Sequence, residues 1–237
     1  MVLRECPSEQ DWDDIFGNSL FPDILKLVDN VKRSGKTYRD GFEFMRGIET
    51  REYYFQLRHR IADTAISYVF VVYFYNKGIP DKRWSISPGR GGSSVTYFPD
   101  FEDLHYEIKK WFDYYSDVFY YKLFSAIDIV GHILNNKQNL KIKKSKVSFS
   151  KSLKKLQGIN DELLTTLNTI KQNQDFKTAN NIRNDITHNY LPSSVGFSVT
   201  IDEKQGSVGE RAYITSSEII NNIKSILQLF KQILDVI

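Results

Sequence analysis

From Leu104 to Leu134 apolar residues recur without a break: Leu104, Ile108, Trp111, Tyr115, Val118, Phe119, Leu123, Ile127, Val130 and Leu134. Steps of three and four residues sustained over roughly eight turns fit one long helix and no strand. Asp100 can cap it, with Phe101 as the first helical residue, so the helix is expected over 100–136. Trp111, Phe112, Tyr114, Tyr115, Phe119, Tyr120, Tyr121 and Phe124 crowd its middle. So many rings cover more than one narrow stripe. The helix is therefore central, or it meets a partner subunit as well as its own core.

A helix of that length needs partners, and the chain supplies them. A second long helix is expected over 49–76, where Tyr54, Leu57, Ile61, Ala65, Tyr68 and Val72 hold the helical period. A third reads over Ser152–Asn168, weakened at Gly158, and a fourth from about Asp175 to Tyr190, before Pro192. The last carries Ile219, Ile223, Ile226, Leu227, Phe230 and Ile233 on one face, behind a capping box of Thr215 and Glu218. Residues 1–20 read as an irregular lead-in, and Leu20, Ile24, Leu27 and Val31 mark a short helix.

Two stretches break the helical period. Residues 77–99 contain three prolines and four glycines, the composition of a long functional or mobile loop. Residues 196–201 alternate Phe197, Val199 and Ile201, and 211–215 can return as a second strand. The expected fold is all-α: an antiparallel four-helix-type bundle with a long loop insertion and a small β-hairpin-like excursion before the last helix. Residues 1–48 are expected to pack as a segment on a bundle formed by 49–237.

Composition excludes several classes. The one cysteine, Cys6, allows no internal disulfide and no cysteine-built zinc site. His59, His105, His132 and His188 are scattered, with no His-Glu-x-x-His pair, and no dinucleotide-binding glycine fingerprint is present. No metal and no cofactor is expected. The most apolar run, residues 68–75, is far short of the roughly 20 residues that span a membrane, and the acidic N-terminus is unlike a signal peptide. The expectation is a cytoplasmic protein without a membrane partner. Between Asp128 and Asp161 no acid occurs, while Lys137, Lys141, Lys143, Lys144, Lys146, Lys151, Lys154 and Lys155 do. Such a local field attracts polyanions, or it is simply a solvated connector.

The segment that carries chemistry is residues 178–192. On a straight helix Ala179, Ile182, Ile186 and Tyr190 share an apolar face. His188 points away from that face, with Asn184 one turn before it, and Arg183 sits at the stripe's edge. Five residues turn a helix by about 140°, so Arg183 and His188 do not aim at one spot. A bend in the helix, or a two-fold axis pairing two copies, can bring them together.

Arg183-Asn184-Asp185-Ile186-Thr187-His188 resembles the Arg-x4-His motif of the HEPN superfamily, small helical-bundle nucleases of prokaryotic toxin and defence systems. Tyr190 extends the likeness to the Arg-x4-His-x-Tyr pattern of HepT-type toxins. The two insertions have no place in the compact toxin pattern, so the likeness is nearer to larger members. The resemblance implies a metal-independent endoribonuclease acting as a homodimer on RNA. Arg183 would hold the scissile phosphate, His188 would move protons, and Asn184 would orient His188 or bind phosphate. The 2′-hydroxyl would attack and leave a cyclic phosphate. Tyr190 would be either a target for nucleotide addition by a nucleotidyltransferase antitoxin or a packed residue of the apolar face. Lys141, Lys143, Lys144 and Lys146, with Arg90 on the glycine-rich loop, are the candidate RNA-backbone contacts. The alternative is a non-catalytic module of the same fold that binds RNA, a nucleotide or a protein.

Overall fold

The computed structural model describes residues 5–32, 40–201 and 206–237. Its frame is an antiparallel pair of long helices, α3 (Gly41–Asn76) and α4 (Asp103–Lys137). Ring contacts fix their register: Tyr68 meets Phe119, Phe70 stacks on Tyr115 at 4.2 Å, and Tyr75 meets Phe112. As one helix ascends the other descends, and Glu49 near the start of α3 faces Asn136 near the end of α4. Phe112, Phe119, Tyr120 and Leu123 are fully buried, each aliphatic or aromatic side chain contributing about 1.5–3 kcal/mol. The rings do exceed one stripe: Tyr106, Tyr114 and Tyr121 remain exposed on α4.

α1 (Glu9–Gly17) and α2 (Phe21–Lys32) precede the pair and pack on α3. α1 corrects the expected irregular lead-in. It buries no residue, so it has no strong apolar period, but Ser8 and Asp11 form a capping box that starts it. α3 begins at Gly41 rather than 49, because Asp40 accepts from the Glu43 backbone N–H at 2.7 Å. The expected boundary at 48/49 therefore falls inside a continuous helix. α4 starts at Asp103, not 101. Asp100 does not cap it, because its carboxylate accepts from Arg83 Nε at 3.2 Å; Glu102 and His105 form the box instead.

Beyond α4 the chain makes α5 (Phe149–Leu156), α6 (Asp161–Gln172) and α7 (Gln174–His188). The single helix expected over 152–168 is thus two. Gly158, at φ +73°, turns the chain between them, a conformation that costs glycine no Cβ clash. Asn160 then caps α6. α5 lies so close to α4 that a Cβ on Gly131 would stand 2.6 Å from the Phe149 nitrogen. Ser152 Oγ donates to the Gly131 carbonyl at 2.8 Å in the same contact.

α8 (Ser216–Asp235) begins at the expected Thr215/Glu218 box and packs along α3, α4, α6 and α7. Tyr120 Oη donates to Asn222 Oδ1 at 2.9 Å, and Asn222 Nδ2 donates to the Asp175 carbonyl at 3.0 Å. The two insertions hold the strands. β1 (Ser85–Ile86) and β2 (Thr96–Tyr97) pair within residues 77–99; β3 (Phe197–Ile201) pairs with β4 (Gly206–Glu210). The return strand is 206–210, not 211–215. Residues 211–214 instead fold back on the approach to β3: Arg211 N donates to the Gly196 carbonyl and Ile214 N to that of Pro192. The architecture is mostly helical with two small antiparallel strand pairs. No helix among the described residues is long and apolar enough to cross a membrane.

Candidate functional site

α7 is uninterrupted from Gln174 to His188 and is capped by Asn173, which accepts from the Asp175 backbone N–H at 2.8 Å. Phe176, Ala179 and Ile182 are buried, and Phe176 meets Phe124 of α4 edge-on at 5.8 Å. Arg183 follows at the margin of this face. Its guanidinium carbon lies 5.4 Å from the Phe124 ring centroid, where the ring quadrupole favours a cation. Its Nε is buried and has no hydrogen-bond partner, and no carboxylate among the described residues pairs with it. Arg183 is thus packed by its flat face while its donors stay uncommitted.

His188 is the last helical residue and is exposed; Asn184, one turn earlier, is half-buried. Asn189 ends the helix. Its backbone N–H donates to the Asp185 carbonyl at 2.9 Å, and its Nδ2 to Asp185 Oδ1 at 2.8 Å. This occupies Asp185 and leaves His188 at the rim. With no bend in α7, Arg183 and His188 keep the roughly 140° separation of a straight helix.

Tyr190 is not part of the apolar face. The helix has already ended, and the residue is 64% exposed. The packed role expected for it is therefore wrong. Arg211 covers its ring, with the guanidinium carbon 3.9 Å from the centroid. Arg211 Nη1 donates to Ser194 Oγ at 3.0 Å, and its Nε is buried without a partner. A Cβ on Gly196 would stand 2.7 Å from Arg211 Nη2, so the glycine leaves room for the guanidinium. Nothing in the local pattern around Arg211 marks it out, because it reaches the site across the hairpin.

Beneath the loop after the motif lies a polar floor on α4. Lys109 Nζ binds both Asp113 oxygens, at 2.7 and 2.9 Å, with its side chain 7% exposed, and lies over the Tyr213 ring. Burial pushes the Asp113 carboxyl up to about 6, against the opposing pull of Lys109. Burial, with Asp113 one turn away, pushes Asp117 up to about 7. The Asp113–Asp117 spacing was visible in the sequence as one helical turn; its burial was not. Asp81, 2% exposed, accepts from Tyr213 Oη (2.6 Å), Ser216 N (2.8 Å) and Ser216 Oγ (2.7 Å). Burial, then that bond to Asp81, raises the Tyr213 phenol.

The first insertion is joined to this end of the bundle by rings. Trp84 meets Tyr213 at 5.2 Å and Tyr97 at 6.3 Å, and Tyr97 meets Phe197 at 6.5 Å. Arg90 sits on this insertion, exposed, with Nη1 donating to the Pro99 carbonyl at 3.1 Å. The lysine run lies elsewhere. It follows the far end of α4, and the helix rises about 36 Å between Asp113 and Lys137 at roughly 1.5 Å per residue. Lys141, Lys143 and Lys146 are exposed there, while Lys144 pairs with Glu49 at 2.9 Å. Among the described residues no hydrogen bond or ion pair joins Lys141, Lys143, Lys144 or Lys146 to Arg183 or His188. Among the described residues no group of three or more His, Cys, Asp or Glu is placed to hold a metal.

A helical bundle with Arg-x4-His near the end of a late helix defines the HEPN class. The chain belongs to this superfamily: the Cthe2314-like HEPN family model matches residues 53–237. No curated protein and no solved structure gives a match.

Proposed function

We propose that the protein is a metal-independent endoribonuclease of a toxin or defence type, with Arg183 and His188 as its catalytic residues. One observation carries this reading. Arg183 is held over Phe124 with a partnerless Nε and no ion pair among the described residues, on the helix that ends at exposed His188. A guanidinium whose donors are uncommitted is suited to a phosphodiester and to the charge that develops on its oxygens. An imidazole at the rim can take the proton from the ribose 2′-hydroxyl or deliver one to the leaving 5′-oxygen. The attack forms a 2′,3′-cyclic phosphate and releases a 5′-hydroxyl. DNA lacks the attacking group. Arginine and histidine together supply both charge stabilisation and proton transfer, which leaves no step that needs a metal.

The homodimer belongs to this reading, because a straight α7 leaves convergence to a second copy. In this reading Asn184, one turn before His188 on α7, orients the imidazole or binds phosphate. The exposed Tyr190 phenol is the candidate for nucleotide addition by a nucleotidyltransferase antitoxin. Arg90 is the candidate backbone contact at the motif end. The lysine run acts at longer range.

The test is cleavage of labelled single-stranded RNA and tRNA in EDTA. Cleavage by the wild type that Arg183→Ala and His188→Ala each abolish, with the fold retained, is the expected result. Cleavage untouched by both substitutions excludes the assignment. RNA binding without any cleavage moves the protein to the non-catalytic binding class.

A further inference from the structure

The Tyr190–Arg211 pair is the part of the motif region that the Arg-x4-His chemistry leaves unused. Tyr190 is bulky, aromatic and 64% exposed. Water is a poor environment for that ring, yet the structure fixes it in place. Arg211 lies flat on one face at 3.9 Å, close to van der Waals contact. Arg211 is in turn fixed by Ser194 Oγ, by its own N–H on the Gly196 carbonyl, and by the space that Gly196 leaves. With one face covered, the exposed area of Tyr190 is its other face and its edge. The ring is two residues past His188, at most about 7 Å of chain. That limit holds between the Cα atoms, so the ring is on the same short stretch of chain as the imidazole.

We propose that Tyr190 and Arg211 form a base-holding platform, on which an unpaired base of single-stranded RNA stacks against the open face of Tyr190. This rests on the ribonuclease reading for its substrate and deepens it by naming the substrate class. Arg211 is the positioning residue. It holds the ring, and its charge places a cation beside the RNA backbone. Every base has a π-face, so the platform selects unpaired nucleotides rather than a sequence. Duplex RNA, with its bases stacked internally, is excluded.

The test uses a short single-stranded RNA carrying 2-aminopurine, titrated into full-length His188→Ala protein so that binding is read without cleavage. Tyr190→Phe, Tyr190→Ala, Arg211→Gln and Gly196→Ala are made in that background, with thermal melting to confirm the fold. The expected result is quenching on binding by the parent and by Tyr190→Phe. Tyr190→Ala loses the quenching and weakens binding about 10-fold. Arg211→Gln, which removes the charge, and Gly196→Ala, which displaces the guanidinium, each reduce the quenching. Unchanged quenching in Tyr190→Ala overturns the platform. If, in addition, Arg183-dependent cleavage persists with His188 present, the ribonuclease reading stands alone. Tyr190-dependent quenching with no cleavage by wild-type protein supports the platform and removes the nuclease. No binding of the oligonucleotide by any variant overturns the platform.

Discussion

The two ends of the bundle differ in how Lys144, at one, and Arg183 and Arg211, at the other, are held. At the end where α4 gives way to the lysine connector, Lys144 sits against the Glu49 carboxylate and over the Tyr53 ring. The connector itself is tied down by Asn135, which exchanges side-chain hydrogen bonds with the backbone of Ile142. At the motif end, Arg183 and Arg211 lie on aromatic faces, and neither has an acidic partner among the described residues. A cation on a carboxylate has spent its charge locally. A cation on a ring is positioned without being neutralised. A run of positive residues is therefore a weaker guide to a polyanion site than one arginine with nothing to pair it.

The contrast can be broken most directly at the motif. Arg183→Ala and His188→Ala should each lower RNA cleavage by about 10²–10³-fold, measured at equal concentrations of folded protein. Loss of less than a few-fold from either would place the chemistry elsewhere. Next in size is the seam between α4 and α5. Gly131→Ala pushes a methyl into the Phe149 backbone, which cannot swing aside as a side chain can. It should cost about 2 kcal/mol of stability in urea unfolding. A neutral outcome would mean that α5 does not hold its place on α4.

A smaller effect sharpens the comparison through pH. Asp117 is raised to about 7 in the fold by burial and by Asp113, against an ordinary value of about 3.9 unfolded. The native state then holds its proton where the unfolded chain has lost it. Stability should fall as pH rises from about 4 through about 7. Asp117→Asn should match the parent near pH 4 and exceed it by about 1–2 kcal/mol near pH 8. A gain that does not change with pH would show that the carboxyl is ionised in the fold. The smallest effect belongs to Lys144→Ala. This exposed pair should contribute less than about 1 kcal/mol, and its loss should weaken RNA binding by about twofold or less. A tenfold loss would restore the lysine connector to the binding surface.

Much of the frame was legible from single elements. The period from Leu104 to Leu134 defines α4, and Thr215 with Glu218 marks the first turn of α8. Arg183, Asn184 and His188 were readable because they lie within six residues on one helix. What escaped depends on contacts between distant residues. Asp100 has the identity of a cap but is drawn to Arg83. Ser8 and Asp11 do form a box, but α1 buries nothing that would give it a period. Gly206–Glu210 has poor strand propensity and pairs because β3 sets the register. Tyr190 fits the apolar period of α7 on paper. It leaves that face because Asn189 closes the helix on Asp185 first. Arg211 reaches it only through the hairpin.

Asp81 also bears on the order of events during synthesis. Its three donors come from Tyr213 and Ser216, more than 130 positions downstream, so this contact closes a large loop. While translation has reached α7, the complete Arg-x4-His motif already exists, but Asp81 has nothing to receive it. The first insertion then lacks its anchor, and Arg211 has not yet been made. The anchor of the first insertion is therefore completed only once Ser216, at the start of α8, can fold back onto Asp81. The motif thus exists in the growing chain before the contacts that set Tyr213 and the first insertion beside it.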